Sequence, residues 1–257
     1  MSFEAVWLDL REPADRAARD PSLLAAAREM LGDGPAVDLG CGTGSTLRAF
    51  GGPAERWRLV DRDPGLLAEA AARAPGAAVV AADLRDLDAL PLGGARLVAA
   101  SALFDLVSRE WIEALADRVA AEGAAVYAAL SYDGTMAWAP PLAADAAVLA
   151  AFNAHQRGDK GFGPALGPEA GRALAEAMAR RGYAVRIAAS PWRLGPADAA
   201  LARPLAAGVA AAAGAAEWGQ ARAAASGTAS CTIGHLDVLA LPGAPSAQSK
   251  ITSVSRP

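Results

Sequence analysis

The chain has 257 residues and a formal net charge of −4, long enough for one α/β domain with an elaboration and a substantial core. It has no excess of basic residues and no Lys/Arg run interleaved with aromatics, which excludes nucleic acid as the expected substrate. Two cysteines far apart, Cys41 and Cys231, and two histidines exclude a metal cluster and a disulfide framework. The apolar fraction of 53% is swollen by alanine and holds no uninterrupted run of membrane-spanning character, and the opening MSFEAVWLDLREP lacks the apolar stretch of a secretory signal. A small-molecule partner, no membrane and a cytoplasmic location are the expectations, and no oligomeric state is implied.

In chain order, residues 6–19 and 21–31 read as two helices. Asp20 followed by Pro21 forms a cap and first turn, and Leu23, Leu24, Ala27 and Leu31 recur on one face. Segment 1–34 is thus an N-terminal helical unit that could lie over a ligand mouth as a lid. Arg11 there is a candidate for meeting a ligand carboxylate, a surface salt bridge being the alternative. The stretch PAVDLGCGTGSTLRAF, 35–50, then reads as strand, tight turn and helix. Three glycines within five residues cost chain entropy, so the turn needs positive φ angles or bare backbone for a ligand to approach. Cys41 in the turn reads as a small residue that fits. A dinucleotide fingerprint would put its third glycine where Ser45 stands, so a nicotinamide cofactor is the second choice.

Asp38, Gly40, Gly42 and Gly44 resemble motif I of the class I S-adenosylmethionine-dependent methyltransferases: an acid, a small or apolar residue, then G-x-G-x-G. The resemblance implies S-adenosylmethionine as the cofactor and transfer of its methyl group to a small-molecule acceptor. It also implies that Asp38, Gly40, Cys41, Gly42 and Gly44 belong to the cofactor's cradle. A non-catalytic protein that binds the same cofactor, and an NAD-dependent oxidoreductase, are the alternatives.

The second strand, ERWRLVDRDP, ends in Asp61, about twenty residues past Gly40, the spacing at which an acid meets ribose hydroxyls. Arg62 is counted with it, while Asp63 before Pro64 reads as the cap of the next helix. The third strand ends in Asp83, and the resemblance implies that Asp83 accepts from the adenine amino group while the Leu84 N–H donates to the ring. The fourth strand, ARLVAAS, ends in Ser101, also counted with the cofactor. By resemblance, residues 101–105 border the methyl group. They read Ser-Ala-Leu-Phe-Asp in place of an Asn/Asp-Pro-Pro-aromatic motif, which argues against a nucleobase or amide nitrogen as acceptor.

After a helix marked by Trp111, Ile112, Leu115 and Val119, the fifth strand is AAVYAALSYDG. Residues 132–168 have no clean period and are taken as a loop insertion forming the acceptor pocket. Within it Tyr132, Arg157 and Lys160 are candidate substrate contacts. His155 is the candidate base or hydrogen-bond partner, with Asp105 as the alternative base. His235, inside a strand, reads as structural. A helix at 168–183, a strand at 184–190, a helical insertion at 196–225 and a last strand at 231–241 complete a domain of 35–241, and 242–257 read as a flexible tail. The expected fold is α/β: a doubly wound, Rossmann-like, seven-stranded, mostly parallel sheet with an antiparallel last strand and helices on both faces.

Overall fold

The computed structural model describes residues 5–243 and 251–254. Two helices, α1 (Ala5–Ala18) and α2 (Pro21–Leu31), precede β1 (Ala36–Leu39), α3 (Ser45–Phe50), β2 (Trp57–Asp61), α4 (Pro64–Arg73) and β3 (Ala78–Ala81). Then follow β4 (Leu97–Ser101), α5 (Arg109–Glu122), β5 (Ala125–Ala139), α6 (Asp145–Gln156), α7 (Ala170–Arg180), β6 (Ala184–Ala189) and β7 (Trp192–Leu194). The described chain closes with α8 (Ala199–Ala213), α9 (Ala216–Ala225), β8 (Ser230–Leu241) and β9 (Ile251–Val254).

The sheet runs β3-β2-β1-β4-β5-β8-β6-β9, with β7 paired to β8 off that path. β1 pairs in parallel with β2 and β4, β2 with β3, and β4 with β5. β8 runs antiparallel to β5, β6 and β7. The central strands are short apolar runs because helices cover both faces and leave no side to water. On one face Leu23 and Ala27 of α2 and Phe50 of α3 pack with Trp57, Leu59 and Tyr127. On the other, Val37, Leu39 and Val98 meet Ile112, Leu115 and Leu174 from α5 and α7. Each such large side chain stabilises the fold by about 1.5–3 kcal/mol.

Local chemistry sets the helix starts. The Asp20 carboxylate accepts from the Ser22 and Leu23 N–H groups, Asp63 does the same for Gly65 and Leu66 at the start of α4, and Ser108 caps α5 through the Trp111 N–H. Asp237, wholly buried on β8, accepts from the backbone N–H of Asp20 at 2.8 Å and of Leu130 at 2.9 Å. It therefore ties the start of α2 to the middle of β5.

The seven expected strands are present, and two more join them. β7 is a short addition beside β8, and β9 falls inside the expected tail, where it pairs in parallel with β6. The rest of that tail, 244–250 and 255–257, lies outside the described residues, as do 1–4. Segment 132–168 is more regular than its sequence suggests, because β5 continues to Ala139 and α6 follows. Register shifts between Ala128 and Ser131 and between Tyr132 and Met136 break the period-two alternation that would have marked the strand. The expected helical insertion is two helices, α8 and α9, separated by Gly214 in the left-handed region.

Candidate active site

Two cavities meet at the carboxyl ends of β1, β2 and β4. The first, about 160 Å³, is built on the glycine turn. Gly40, Gly42 and Gly44 have φ of 65°, 54° and 84°, a region that side chains with a Cβ enter at a cost of about 1–2 kcal/mol. A Cβ on Gly42 would stand 2.9 Å from Leu8 Cδ1 of α1, so a side chain there would have to displace the tip of that leucine. Gly40 and Cys41 line the cavity with Gly42, whereas Gly44 sits behind it as the first residue before α3. The Cys41 thiol is pushed well up by burial, then by the neighbouring Asp38 and Asp61 charges, and is not a thiolate.

Asp61 stands at the end of β2 in the same wall. One carboxylate oxygen accepts from the Gly42 N–H at 3.0 Å and the other from the Asp63 N–H at 3.1 Å. A carboxylate has about four lone-pair positions, so both oxygens keep capacity for outside donors while the backbone holds them in place. Arg62 and Leu84 also line this cavity. The Leu84 carbonyl accepts from Trp111 Nε1 at 2.7 Å, which fixes the peptide at the end of β3. Asp83 lines it too, but its carboxylate is held by the side chain and N–H of Arg85, which pulls its pKa down to about 2. Ser101 accepts from the Arg19 guanidinium at 3.1 Å.

Asp38 lies behind the turn, on the face of β1 opposite Val37 and Leu39. It is 1% exposed and neither carboxylate oxygen has a hydrogen-bond partner. Burial raises its pKa to about 7, with Arg19 and Thr46 nearby pulling in the other direction. Across the cavity mouth runs α1. Glu12 pairs with Arg48 at 2.5 Å and Asp9 pairs with Arg73, pinning α1 to the elements after the turn. Arg11 lines the cavity but is held by Asp15 at 2.9 Å and lies 5.0 Å from the Trp192 ring centroid.

The second cavity, about 450 Å³, opens beside the first and shares Arg11, Ala102, Leu106 and Lys160 with it. Its walls are mostly apolar: Trp7 from α1, Phe152 from α6, Trp192 from β7, and Leu205 and Val209 from α8. Asp105, 7% exposed, and His235, also 7% exposed, both line it. Asp105 Oδ1 and His235 Nδ1 are without hydrogen-bond partners. Burial raises the Asp105 carboxyl to about 6 despite Arg11 and Lys160 nearby, and burial followed by the Arg11 charge lowers His235 to about 3. The β4 exit is strained where the cavities touch: Ala102, in contact with both, has φ 50°, and Leu130, in the second, has φ 58°.

Tyr132 and Lys160 line the second cavity. The Tyr132 hydroxyl donates to Asn153 Oδ1 at 2.8 Å, and Lys160 Nζ lies 3.2 Å from His155 Nδ1. His155 is exposed at the end of α6 and reaches the cavity from its rim. Arg157 is not brought to either cavity. It follows the last turn of α6, pairs with Glu169 at 2.6 Å and donates to the Asn153 carbonyl. His235, read as structural from sequence, turns out to be part of the cavity wall. Only the register of β8 against β5, with His235 opposite Tyr132, brings it there.

Residues 36–122, about a third of the chain, match a family model described as a methyltransferase domain. Over this stretch the chain is similar to methyltransferase domains. Its matched part runs from β1 to the end of α5 and contains the glycine turn, Asp61, Asp83, Leu84, Ser101 and Asp105. No protein of curated function matches the sequence.

Among solved structures, this chain is similar to Streptomyces venezuelae DesVI, at 20% identity over 54% of this chain and 64% of that one, with a TM-score of 0.40. It is similar to CalS10, an amino pentose methyltransferase from Micromonospora echinaspora, at 22% identity over 54% and 63%, with a TM-score of 0.39. It is also similar to a geranyl diphosphate C-methyltransferase from Streptomyces coelicolor A3(2), at 14% identity over 85% and 76%, with a TM-score of 0.43. The chain thus spans about three fifths of the length of the first two. Among the described residues no helix is long and apolar enough to cross a membrane, and no cluster of side chains suits a metal ion.

The first cavity's chemistry fits S-adenosylmethionine. The bare turn admits a ligand to the backbone, and Asp61 presents free acceptor capacity suited to a diol.

Proposed function

We propose that this protein moves the methyl group of S-adenosylmethionine to a small-molecule acceptor seated in the second cavity. The observation that carries this reading is the shared wall. A cofactor cradle and an apolar chamber touch at Arg11, Ala102, Leu106 and Lys160, so a molecule in each would meet end to end. When bound, the cofactor supplies a methyl group already activated by its positive sulfur, so the protein need only align and dry the reactants.

In this reading Asp61 holds the ribose hydroxyls, the glycine turn lies against the cofactor backbone, and Leu84 N–H and Asp83 face the adenine. Arg85 already occupies the Asp83 carboxylate and must share it. Ser101 and Arg62 complete that wall. Asp105, buried and beside the shared wall, receives the acceptor proton, in preference to His155 at the exposed rim. Lys160 bridges the two cavities, and Tyr132 lines the acceptor side. α1 acts as a lid whose release requires the Glu12–Arg48 and Asp9–Arg73 pairs to open.

Calorimetric titration tests the reading. S-adenosylmethionine and S-adenosylhomocysteine should bind and NAD should not. Binding of NAD alone would overturn it, and binding of S-adenosylhomocysteine with no transfer to any screened acceptor would favour a non-catalytic binder.

A further inference from the structure

The second cavity says more about the acceptor than its size. Four aromatic side chains, Trp7, Tyr132, Phe152 and Trp192, stand in its wall, with Tyr132 and Phe152 edge to face at 5.5 Å between ring centroids. Such walls favour flat rings, which gain from edge and offset contacts beyond simple burial. At about 450 Å³ the cavity falls in the range of small-molecule sites. α8 contributes Gly208, where an added Cβ would meet nothing within 4 Å, so free space extends toward that helix.

The charges around it nearly cancel. Arg11 is paired with Asp15, Lys160 leans on His155, and Asp105 is the one carboxylate in this wall. His235 is neutral at any working pH because burial lowers its pKa to about 3. An anionic acceptor would face the buried Asp105, and a cationic one would face Arg11 and Lys160. What the wall lacks is a partner for two buried polar atoms, Asp105 Oδ1 and His235 Nδ1. Buried groups of this kind are costly unless a ligand completes them.

We infer that the acceptor is an uncharged aromatic hydroxy compound, a phenol or naphthol, whose rings fill the aromatic chamber and whose hydroxyl is bound by Asp105 and His235. The inference rests on the methyl-transfer reading above. Asp105 takes the hydroxyl proton while the oxygen's electron pair forms the bond to the methyl carbon and the carbon–sulfur pair returns to sulfur. The products are an aryl methyl ether, a neutral thioether and a protonated Asp105, so every atom and charge is accounted for. His235 does not exchange a proton; it orients the hydroxyl.

The test uses the full chain saturated with S-adenosylhomocysteine, which holds the first cavity without reaction. Calorimetry then compares 2-naphthol, naphthalene and 2-naphthoate. 2-Naphthol should bind about tenfold more tightly than either, the worth of a good hydrogen bond in a dry site. His235→Phe should erase most of the preference for 2-naphthol over naphthalene while naphthalene binding stays within about twofold. With S-adenosylmethionine, Asp105→Asn should retain 2-naphthol binding and lose turnover by about a hundredfold or more. The wild-type rate should rise with pH through about 6, and the variant should lack that limb. Arg11, Lys160, Tyr132, His155 and His235 face Asp105 from the surrounding elements, with His155 at the exposed rim. His155→Gln should therefore keep the limb.

Tighter binding of 2-naphthoate would overturn the inference in favour of an anion held by Arg11 and Lys160. Failure of all three naphthyl probes with S-adenosylhomocysteine bound would overturn it while leaving methyl transfer standing. Failure of S-adenosylhomocysteine itself would overturn the reading beneath it.

Discussion

The two cavities are made in different ways. The first is made mainly by backbone: a turn without side chains, a carboxylate held by two N–H groups, and a peptide at the end of β3 fixed through its carbonyl by Trp111. The second is made by side chains brought from α1, β5, α6, β7, α8 and β8. A backbone site tolerates few substitutions because it depends on torsion angles. A side-chain chamber can be reshaped one residue at a time.

Substitutions should separate the two sites. The largest effect is expected at their junction, where Asp105→Asn should lower turnover by about a hundredfold with S-adenosylhomocysteine affinity unchanged in a titration. Equal loss of both would mean that Asp105 belongs to the cofactor side. Gly42→Ala comes next. Its φ of 54° and the 2.9 Å approach to Leu8 should weaken S-adenosylhomocysteine binding by about tenfold, and a matched affinity would show that the ligand does not approach the turn. Asp61→Ala removes the proposed diol acceptor and also a brace of the turn, so about a fivefold to tenfold loss is expected by calorimetry with the fold retained by circular dichroism. The smallest effect is expected on α1, where Glu12→Gln should speed cofactor release in stopped flow by about twofold, since part-exposed ion pairs are worth little.

Asp38 sharpens the comparison through stability. Its folded pKa, raised to about 7, exceeds the ordinary carboxyl value, so the stability linked to its proton is fully present below about pH 4 and is lost as pH rises through about 7. Asp105 and Asp237 are raised in the same direction. Denaturant unfolding without ligand should therefore show stability falling across that window, and Asp38→Asn should flatten part of the fall. An unchanged slope would mean that Asp38 is ionised in the folded protein.

How much of this could be read from sequence follows the same division. The turn and Asp61 announce themselves because their signals are local, glycines at fixed intervals and an acid at a strand end, whereas Asp83 and Leu84 are reached only through the resemblance. The parallel core was legible in the apolar runs of β1 and β4 and the stripe of α5. The chamber was not, because His235 and Tyr132 are 103 positions apart in sequence and become neighbours only through the β5–β8 register. Arg157 and His155 drew attention as charged residues in an apparently irregular stretch. α6, hidden by its alanines, instead carries His155 to the rim and Arg157 to Glu169. α8 read only as part of a helical insertion, and its part in the wall depends on Leu205, Gly208 and Val209 lying along the cavity together.

The most direct measurement is a paired calorimetric titration of S-adenosylhomocysteine into the wild-type protein and Gly208→Trp, followed by a methyl-transfer assay on both. The indole should fill the chamber from α8 without touching the glycine turn, and a helix interior loses nothing in propensity by giving up glycine. If one cavity holds the cofactor and the other the acceptor, the two proteins should bind S-adenosylhomocysteine within about twofold of each other while transfer to 2-naphthol is lost. A fall in S-adenosylhomocysteine affinity as large as that expected for Gly42→Ala, or unchanged transfer in Gly208→Trp, would contradict the division on which the account stands.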